Sequence, residues 1–351
     1  MNPSVSDLMR KATQLTQAGQ LKDATLAIQA LLTKRPTNIP ALTVPVAARL
    51  QAHRALPGPS RKPDLRTGSF IGASHSNRGL TRSYKLYSPP HTGDDQRPLI
   101  VMLHGCTQNP DDFAAGTGMN ELAAARGLFV LYPAQSADAN PTRCWNWFKG
   151  EHQQQNGESA LLADLTQTII QQHAVDPKRV YIAGLSAGGA MAANVANAYP
   201  DLFAAVGVHS GLAPNAANNL SSALAAMKSG ATLSSAHSAK RCMPTIVFHG
   251  DKDLTVHPRN GEQVIQAALE CTSSAQKKPW IEHGVAPSGR SFTRSIQRNA
   301  QGQISTEHWL IHGAGHAWSG GHPSGSYVDA SGPDASEEMC RFFLERSKDR
   351  G

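Results

Sequence analysis

The sequence lacks several features that mark common classes of protein. Its 351 residues contain no run of about 18 apolar residues, so we expect no membrane-spanning helix. The first residues show no basic stretch followed by an apolar one, so we expect no secretion signal and a cytoplasmic protein. The basic residues near the N-terminus have no aromatic residues among them, which argues against nucleic-acid binding.

Cysteine is also scarce. There are five cysteines and no Cys-x-x-Cys pair, so we expect no zinc site. An odd number fits a reduced cytosolic chain, although one or two disulfides are also compatible with it. The five are Cys106, Cys144, Cys242, Cys271 and Cys340.

Positive charge is concentrated at one end of the chain. Residues 1–68 hold ten Lys and Arg against three Asp and Glu, whereas residues 69–351 hold 23 of each. We expect a helical segment at 1–34, resembling one helical hairpin, and a proline-rich basic linker at 35–68. Such a segment suits contact with an acidic surface, a membrane face or a polyanion, and the plainer alternative is a solvated tether.

From about residue 69, short apolar runs alternate with helix-like stretches. Near-continuous apolar strands such as Leu99–Leu103 are typical of a parallel sheet covered on both faces. The pattern predicts an α/β domain over residues 69–347 with a mostly parallel, doubly wound sheet of about eight strands, the first two forming an antiparallel hairpin. The predicted strands are 69–75, 82–88, 99–104, 128–132, 179–184, 204–209, 244–249 and 307–312, and the predicted helices are 111–126, 158–173, 187–199 and 258–270.

A Gly-x-Ser-x-Gly pattern at 184–188 places Ser186 between a predicted strand and a predicted helix. This setting is typical of a nucleophile elbow, in which the serine is exposed on a sharp turn. A capping serine in a glycine-rich turn is the structural alternative. Because a serine hydroxyl needs a base to take its proton, we look for histidine and acid partners later in the chain.

The predicted base is His316, on the glycine-rich loop after the last predicted strand, with His312 and His322 as alternatives. The predicted acid is Asp253, after the strand at 244–249, in preference to Asp251, which suits a turn. The resulting order of Ser, Asp and His along the chain is that of α/β-hydrolases.

Acyl transfer also needs donors for the negative charge that develops on the carbonyl oxygen. We expect these donors to be the backbone N–H groups of Ala187, just after the nucleophile, and Cys106, in the loop after Leu99–Leu103. The mechanism requires no metal and no organic cofactor.

Several segments together resemble the esterase/polyhydroxybutyrate depolymerase family, over about residues 69–345. The segments are Leu103–Gln108, Tyr132–Pro133, Cys144–Phe148, Gly184–Gly189, His249–Val256 and Gly315–Trp318. The resemblance implies an α/β-hydrolase fold and a serine esterase that hydrolyses poly(3-hydroxybutyrate) or its oligomers. Relatives that act on feruloyl or acetyl esters make a carboxylesterase for small acyl esters the alternative.

The resemblance is to the catalytic domain of secreted depolymerases, but this sequence shows no secretion signal and no polymer-binding domain after it. We therefore expect a compact intracellular form, associated with storage granules through its basic N-terminus. Trp145, Trp147 and Trp318 are candidates to line an apolar substrate cleft, with core packing as the alternative. An alternative of another class is a non-catalytic granule-surface protein.

Overall fold

The computed structural model describes residues 68–90, 95–231, 242–270 and 278–348. The predicted helical segment 1–34 and all but the last residue of the predicted linker 35–68 lie outside them. Within the described part of the chain, no helix has both the length and the apolar character needed to cross a membrane.

The described residues form strands and seven α-helices, numbered here in chain order. The strands are β1 (Ser69–Asn77), β2 (Leu80–Ser88), β3 (Arg97–Leu103), β4 (Phe129–Pro133), β5 (Val175–Leu185), β6 (Ala205–His209), β7 (Thr245–Gly250), β8 (Trp280–Val285), β9 (Ser291–Arg298), β10 (Ile304–Ile311), β11 (Trp318–Ser319) and β12 (Val328–Asp329). The helices are α1 (Pro110–Thr117), α2 (Met119–Arg126), α3 (Gly157–Gln172), α4 (Ala187–Ala198), α5 (Leu220–Ser229), α6 (Arg259–Leu269) and α7 (Ala335–Leu344).

Ten strands make one sheet in the order β1-β2-β4-β3-β5-β6-β7-β10-β9-β8. The six strands from β4 to β10 in this order are parallel to one another. All side chains of Leu99–Leu103 in β3 are fully buried, as expected for a strand covered on both faces. The predicted parallel, doubly wound sheet is therefore confirmed.

Helices cover both faces of the sheet, because successive side chains of the central strands point to opposite faces and both faces are apolar. In β5, Val180 and Ile182 belong to the core that includes α3 and α4, whereas Tyr181 and Ala183 belong to the core that includes α1, α2 and α7. Burial of each large apolar side chain favours the folded state by about 1.5–3 kcal/mol. This two-sided core fixes the carboxyl ends of the parallel strands along one edge, where ligands bind in such sheets.

The two ends of the sheet are antiparallel. At one end β1 and β2 form the predicted hairpin, with Asn77 paired to Leu80. At the other end β9 and β8 extend the sheet beyond β10. The sheet has ten strands where about eight were predicted, because β8 and β9 carry mostly exposed or half-exposed side chains and so give no apolar run in the sequence.

The helices differ from prediction in two ways. The single helix predicted at 111–126 is two helices, since Gly118 between them has a left-handed backbone with φ of 60°. The sequence patterns did not predict α5 or α7. In α5 the large residues Leu220 and Leu224 are exposed, which weakens its apolar periodicity.

Candidate active site

Ser186 lies on a sharp turn between β5 and α4. Its backbone has φ of 56° and ψ of −120°, which strains a residue that carries a Cβ atom. A Cβ atom at Gly184 would lie 2.4 Å from the backbone of Gly188, and one at Gly188 would lie 2.1 Å from the carbonyl oxygen of Leu103. The two glycines of the Gly-x-Ser-x-Gly pattern are therefore required by close backbone packing.

Hydrogen bonds on both sides hold this turn. The N–H of Ser186 donates to the carbonyl of His209 at 2.9 Å, and the carbonyl of Ser186 accepts from the N–H of Ala190 at 2.9 Å. Helix α4 begins at Ala187, so the first N–H groups of the helix have no carbonyl partner within it. Ser186 thus has the strand–turn–helix setting that the sequence predicted.

Asp253, which is buried, and His316, which is partly buried, form a pair at the same edge of the sheet. His316 Nδ1 lies 2.7 Å from Asp253 Oδ2, and Asp253 Oδ1 accepts from the N–H groups of Thr255 and Val256 at 2.9 and 2.8 Å. A carboxylate only accepts hydrogen bonds, so Nδ1 of His316 carries the proton. The Nε2 atom therefore has its lone pair available for a proton from a hydroxyl group.

The carboxyl group of Asp253 is held in its charged form. Burial acts to raise the pKa of Asp253, but hydrogen bonds from His249 and His316 outweigh it and lower the pKa well below the usual range. His249 Nε2 lies 3.5 Å from Asp253 Oδ2 and 2.8 Å from the carbonyl oxygen of Val256. A charged Asp253 stabilises an imidazolium at His316, which a general base requires.

The alternative residues form a second pair farther out. His312 Nδ1 lies 3.1 Å from Asp251 Oδ2, and Asp251 Oδ1 accepts from the N–H of Gly313 at 2.7 Å. The other ring nitrogen of His312 lies 2.9 Å from Thr293 Oγ1. His322 is exposed, and its Nδ1 lies 2.7 Å from Ser324 Oγ and accepts from the N–H of Ser324 at 3.2 Å. Both nitrogens of His312 thus have structural partners.

His209 connects the turn at Ser186 to the loop that carries His316. Its carbonyl accepts from Ser186 N–H, its Nε2 accepts from Ser319 N–H at 2.9 Å, and its ring stacks on Trp318 at 5.0 Å. Burial lowers the pKa of His209 well below its usual value, so the ring stays neutral and Nε2 remains an acceptor. The loop is further tied at Trp318, whose N–H donates to the carbonyl of Tyr327 at 2.7 Å.

The loop after β3 presents one unused backbone donor. The N–H of Gly105 donates to Gln108 Oε1 at 2.9 Å, that of Thr107 to the carbonyl of Thr142 at 2.7 Å, and that of Gln108 to the carbonyl of Gly105 at 3.3 Å. Among these loop residues the N–H of Cys106 alone has no acceptor in the described part of the protein. Cys106 and Ala187 are thus the positions with available N–H groups, as expected for an oxyanion hole.

His104 orients the peptide that carries this donor. Its Nε2 accepts from the N–H of Gln135 at 3.1 Å, so its Nδ1 donates to the carbonyl of Gly105 at 2.7 Å. Gly105 C=O and Cys106 N–H belong to the same peptide, so this bond fixes the direction of the N–H. Burial lowers the pKa of His104 to about 4, which keeps the ring neutral at physiological pH.

A disulfide joins Cys106 to Cys144 and ties the loop after β3 to the segment at 142–148. Cys242 is also disulfide-bonded, and Cys340 is a buried free thiol. The expectation of a reduced chain is therefore wrong. Because disulfides persist in oxidising compartments and are rare in the cytosol, the bridge also argues against the expected cytoplasmic location.

A buried polar network supports the segment that carries Cys144. Glu158 accepts hydrogen bonds from Arg82 at 3.1 Å, from Gln135 at 2.6 Å, and from both the backbone and side chain of Asn146 at 2.9 Å. Gln135 also donates to the carbonyl of Cys144 at 3.0 Å. Because each buried partner is satisfied, the network specifies one arrangement of this segment.

The three tryptophans predicted to line the substrate cleft are buried. Trp145, Trp147 and Trp318 are 0%, 4% and 1% exposed. Trp145 Nε1 donates to the carbonyl of His104 at 3.1 Å, and Trp318 Nε1 donates to Ser336 Oγ at 3.0 Å. Core packing, the alternative reading, therefore describes all three, and they support the loops of the site from below.

Four residues that the sequence did not single out contribute to the site. His209 and Glu158 act through buried hydrogen bonds to residues distant in sequence, so no local motif indicates them, whereas His104 bonds to both the adjacent Gly105 and the distant Gln135. Tyr327 is half-exposed, has φ of 52° and lies 3.0 Å from Thr107 Oγ1 through its hydroxyl group. Of these four residues, only His104 belongs to a recognisable sequence pattern, the dipeptide His104-Gly105 before Cys106.

Comparison with known proteins identifies the family. A family model described as Esterase PHB depolymerase matches residues 82–274, more than half of the chain. The chain belongs to the esterase/PHB depolymerase family. The family match spans the strands and loops that carry Cys106, Ser186 and Asp253, while His316 lies beyond it.

Two depolymerases are similar in sequence to this chain. Poly(3-hydroxyalkanoate) depolymerase C of Paucimonas lemoignei is 30% identical over 231 residues, which are 62% of this chain and 54% of the relative. Poly(3-hydroxybutyrate) depolymerase of Ralstonia pickettii is 26% identical over 311 residues, which are 83% of this chain and 62% of the relative. This chain therefore spans less than two thirds of the length of either depolymerase.

Acetylxylan esterases are similar over a larger share of their own length. A probable acetylxylan esterase A of Aspergillus clavatus is 27% identical over 280 residues, which are 70% of this chain and 85% of the relative. The solved structure of an acetyl xylan esterase from Aspergillus awamori has a TM-score of 0.62 at 18% identity and covers 79% of this chain and 99% of that chain. The predicted α/β-hydrolase fold is thereby confirmed.

Proposed function

We propose that the chain is a serine esterase that hydrolyses poly(3-hydroxybutyrate) or its oligomers, with Ser186 as nucleophile, His316 as base and Asp253 as the acid that orients it. The observation that carries the proposal is the 2.7 Å contact between His316 Nδ1 and Oδ2 of the buried Asp253, at the sheet edge that carries the strained turn of Ser186. Membership of the family supports an ester substrate, and the two similar depolymerases support a polyester.

The reaction proceeds by two acyl transfers. His316 Nε2 takes the proton of Ser186 as Oγ attacks the ester carbonyl, and the N–H groups of Ala187 and Cys106 bind the oxyanion. The alcohol fragment leaves with the proton from His316. Water, activated by the same base, then attacks the acyl-enzyme and releases the acid.

The test is the hydrolysis of amorphous poly(3-hydroxybutyrate), followed as clearing of turbidity, and of p-nitrophenyl butyrate. Ser186→Ala should lower both rates by at least about 10³-fold, because the covalent intermediate can no longer form. Ser229→Ala, at the exposed end of α5, is the matched control and should keep the wild-type rates. Wild-type protein that is inert on every short-chain ester would reject the esterase and leave the non-catalytic granule-surface alternative.

A carboxylesterase for small acyl esters is the second candidate. The observation that favours it is the similarity to acetylxylan esterases, which covers 85% and 99% of the relatives' own lengths. The ratio of kcat/KM for 3-hydroxybutyrate oligomers to that for acetylated xylan and methyl ferulate separates the two. A ratio well below one would assign the chain to the second candidate.

We further propose that the basic segment 1–68 brings the catalytic domain to the surface of polyester granules. The support is its excess of seven positive charges, while residues 69–351 are balanced. Removing residues 1–68 should weaken sedimentation with granules and leave hydrolysis of p-nitrophenyl butyrate intact. Unchanged sedimentation would reject the role.

A further inference from the structure

An open groove of about 600 Å³ runs along the carboxyl edge of the sheet, beside the loop after β3. Its wall combines small, apolar and polar side chains. The residues that line it are Gly72, Ala73, Ser74, Ser83, Tyr84, Lys85, Asn109, Pro110, Asp111, Ala134, Gln135 and Arg143. They come from β1, β2, the start of α1 and the segment after β4.

The groove lies beside the candidate oxyanion hole, because Arg143 in its wall adjoins Cys144, whose Cα atom is 4.2 Å from that of Cys106. Gln135 in its wall donates to His104, which orients the Cys106 peptide. Arg143 in its wall precedes Cys144, the disulfide partner of Cys106. Its lining extends from the end of β4 over β2 to β1, which are successive neighbours in the sheet. Two strand spacings correspond to about 10 Å, which is longer than one acetyl group and leaves room for more than one repeat unit.

The two positively charged side chains in the wall of the groove, Lys85 and Arg143, differ in their partners. Lys85 pairs with Asp111 in the same wall. Arg143 has no side-chain hydrogen bond or ion pair with any other residue that the structure describes. Its backbone has φ of 53° and is held by donation to the carbonyl of Asn140 at 2.8 Å. An exposed guanidinium on a fixed stretch of backbone therefore lines a groove beside the candidate oxyanion hole.

We propose that this groove is a subsite for the carboxylate end of a hydroxyacid oligomer and that Arg143 binds that carboxylate. The proposal rests on the proposed esterase function and names its preferred substrate class. An oligomer of a hydroxyacid carries one free carboxylate, ionised at neutral pH, whereas acetyl and feruloyl esters of sugars carry none. A guanidinium suits a carboxylate because it offers two parallel N–H donors. Ala73, Pro110 and Ala134 provide apolar contacts for the methyl groups of the chain.

The experiment compares the 3-hydroxybutyrate trimer as the free acid with its methyl ester, which differs only in lacking the charge. The quantity measured is the ratio of kcat/KM for the acid to that for the methyl ester. In Arg143→Gln this ratio should fall about three- to tenfold, the range expected of a partly exposed ion pair that gains from charge-assisted hydrogen bonds. Arg143→Lys should restore part of it, and added salt should reduce the difference.

The matched control is Arg298→Gln, an exposed arginine at the end of β9, on the far side of the sheet. Its ratio should stay within twofold of wild type, which excludes an effect of net charge alone. An unchanged ratio in Arg143→Gln, or an equal loss on both substrates, would overturn the subsite.

Failure of the proposed function would look different, since wild type would then hydrolyse neither trimer. In that case calorimetry on Ser186→Ala measures binding of the trimer acid without turnover. Equal affinity in Ser186→Ala with and without Arg143→Gln overturns the subsite, and affinity that is lower without the arginine supports it.

Discussion

Two Asp–His pairs lie where β7 and β10 leave the sheet, and they differ in burial and in the partners of the imidazole. In the inner pair, Asp253 and His316 are 2.7 Å apart with side chains 0% and 13% exposed. In the outer pair, Asp251 and His312 are 3.1 Å apart with side chains 28% and 37% exposed. His312 uses its second nitrogen to contact Thr293, whereas Nε2 of His316 has no partner among the described residues.

The comparison shows that an Asp–His pair by itself does not define a general base. Both pairs orient an imidazole against a carboxylate, but only the inner imidazole keeps a nitrogen available for a substrate or nucleophile. The inner carboxylate is also buried with four polar partners, which keeps it charged and immobile. Availability and burial, not residue type, separate the candidate catalytic pair from a structural one.

The largest expected difference between the pairs is in rate. Asp253→Asn should lower kcat on p-nitrophenyl butyrate by about 10²- to 10⁴-fold, because an amide no longer fixes the Nδ1–H tautomer of His316 or stabilises its positive charge. Asp251→Asn should keep kcat within about threefold of wild type. Equal losses in the two variants would remove the distinction between the pairs.

A smaller expected effect is the pH dependence of the stability that Asp253 contributes. Although burial acts to raise the pKa of Asp253, hydrogen bonds from His249 and His316 lower it well below its usual range. A depressed pKa in the folded state stabilises the protein fully above the unfolded value of about 3.9 and loses that contribution as pH falls below it. The gap in free energy of unfolding between wild type and Asp253→Asn should therefore be constant from pH 7 to 5 and narrow below about pH 4.

Urea unfolding at a series of pH values measures this gap, with Ser229→Ala as a control whose gap should not depend on pH. A gap that stays constant down to pH 3 would show that the charge on Asp253 is not what its partners stabilise.

The smallest expected effect belongs to the outer pair. Its partial exposure limits the contribution of the ion pair to about 0.2–1 kcal/mol, so Asp251→Asn should lower the free energy of unfolding by about that amount at low salt. In 1 M NaCl the difference should shrink, because salt screens exposed charges. If Asp251→Asn lowers the free energy of unfolding by more than about 2 kcal/mol and the decrease does not depend on salt, the hydrogen bond to Gly313, rather than the charge, holds the loop.

Local sequence patterns predicted much of the fold and the candidate site. The strand–turn–helix around Ser186 is encoded within about twenty residues by an apolar run, two glycines and a helix start, so its geometry follows from local sterics. The chain order of Ser186, Asp253 and His316 follows from the alternation of strands and loops, and the structure brings Asp253 and His316 into contact. Patterns failed at β8 and β9, where exposed strands carry no apolar signal.

What the sequence determined by itself is therefore the series of strands and helices, the turn that presents Ser186, and the acid and histidine available at the same edge. Only the tertiary structure decided which aspartate meets which histidine, that Cys106 pairs with Cys144, that the three tryptophans are buried, and that Arg143 lines a groove beside the site. Each of these depends on contacts between segments tens of residues apart. Such contacts are selected by the packing of the whole core, which no local pattern of residues records.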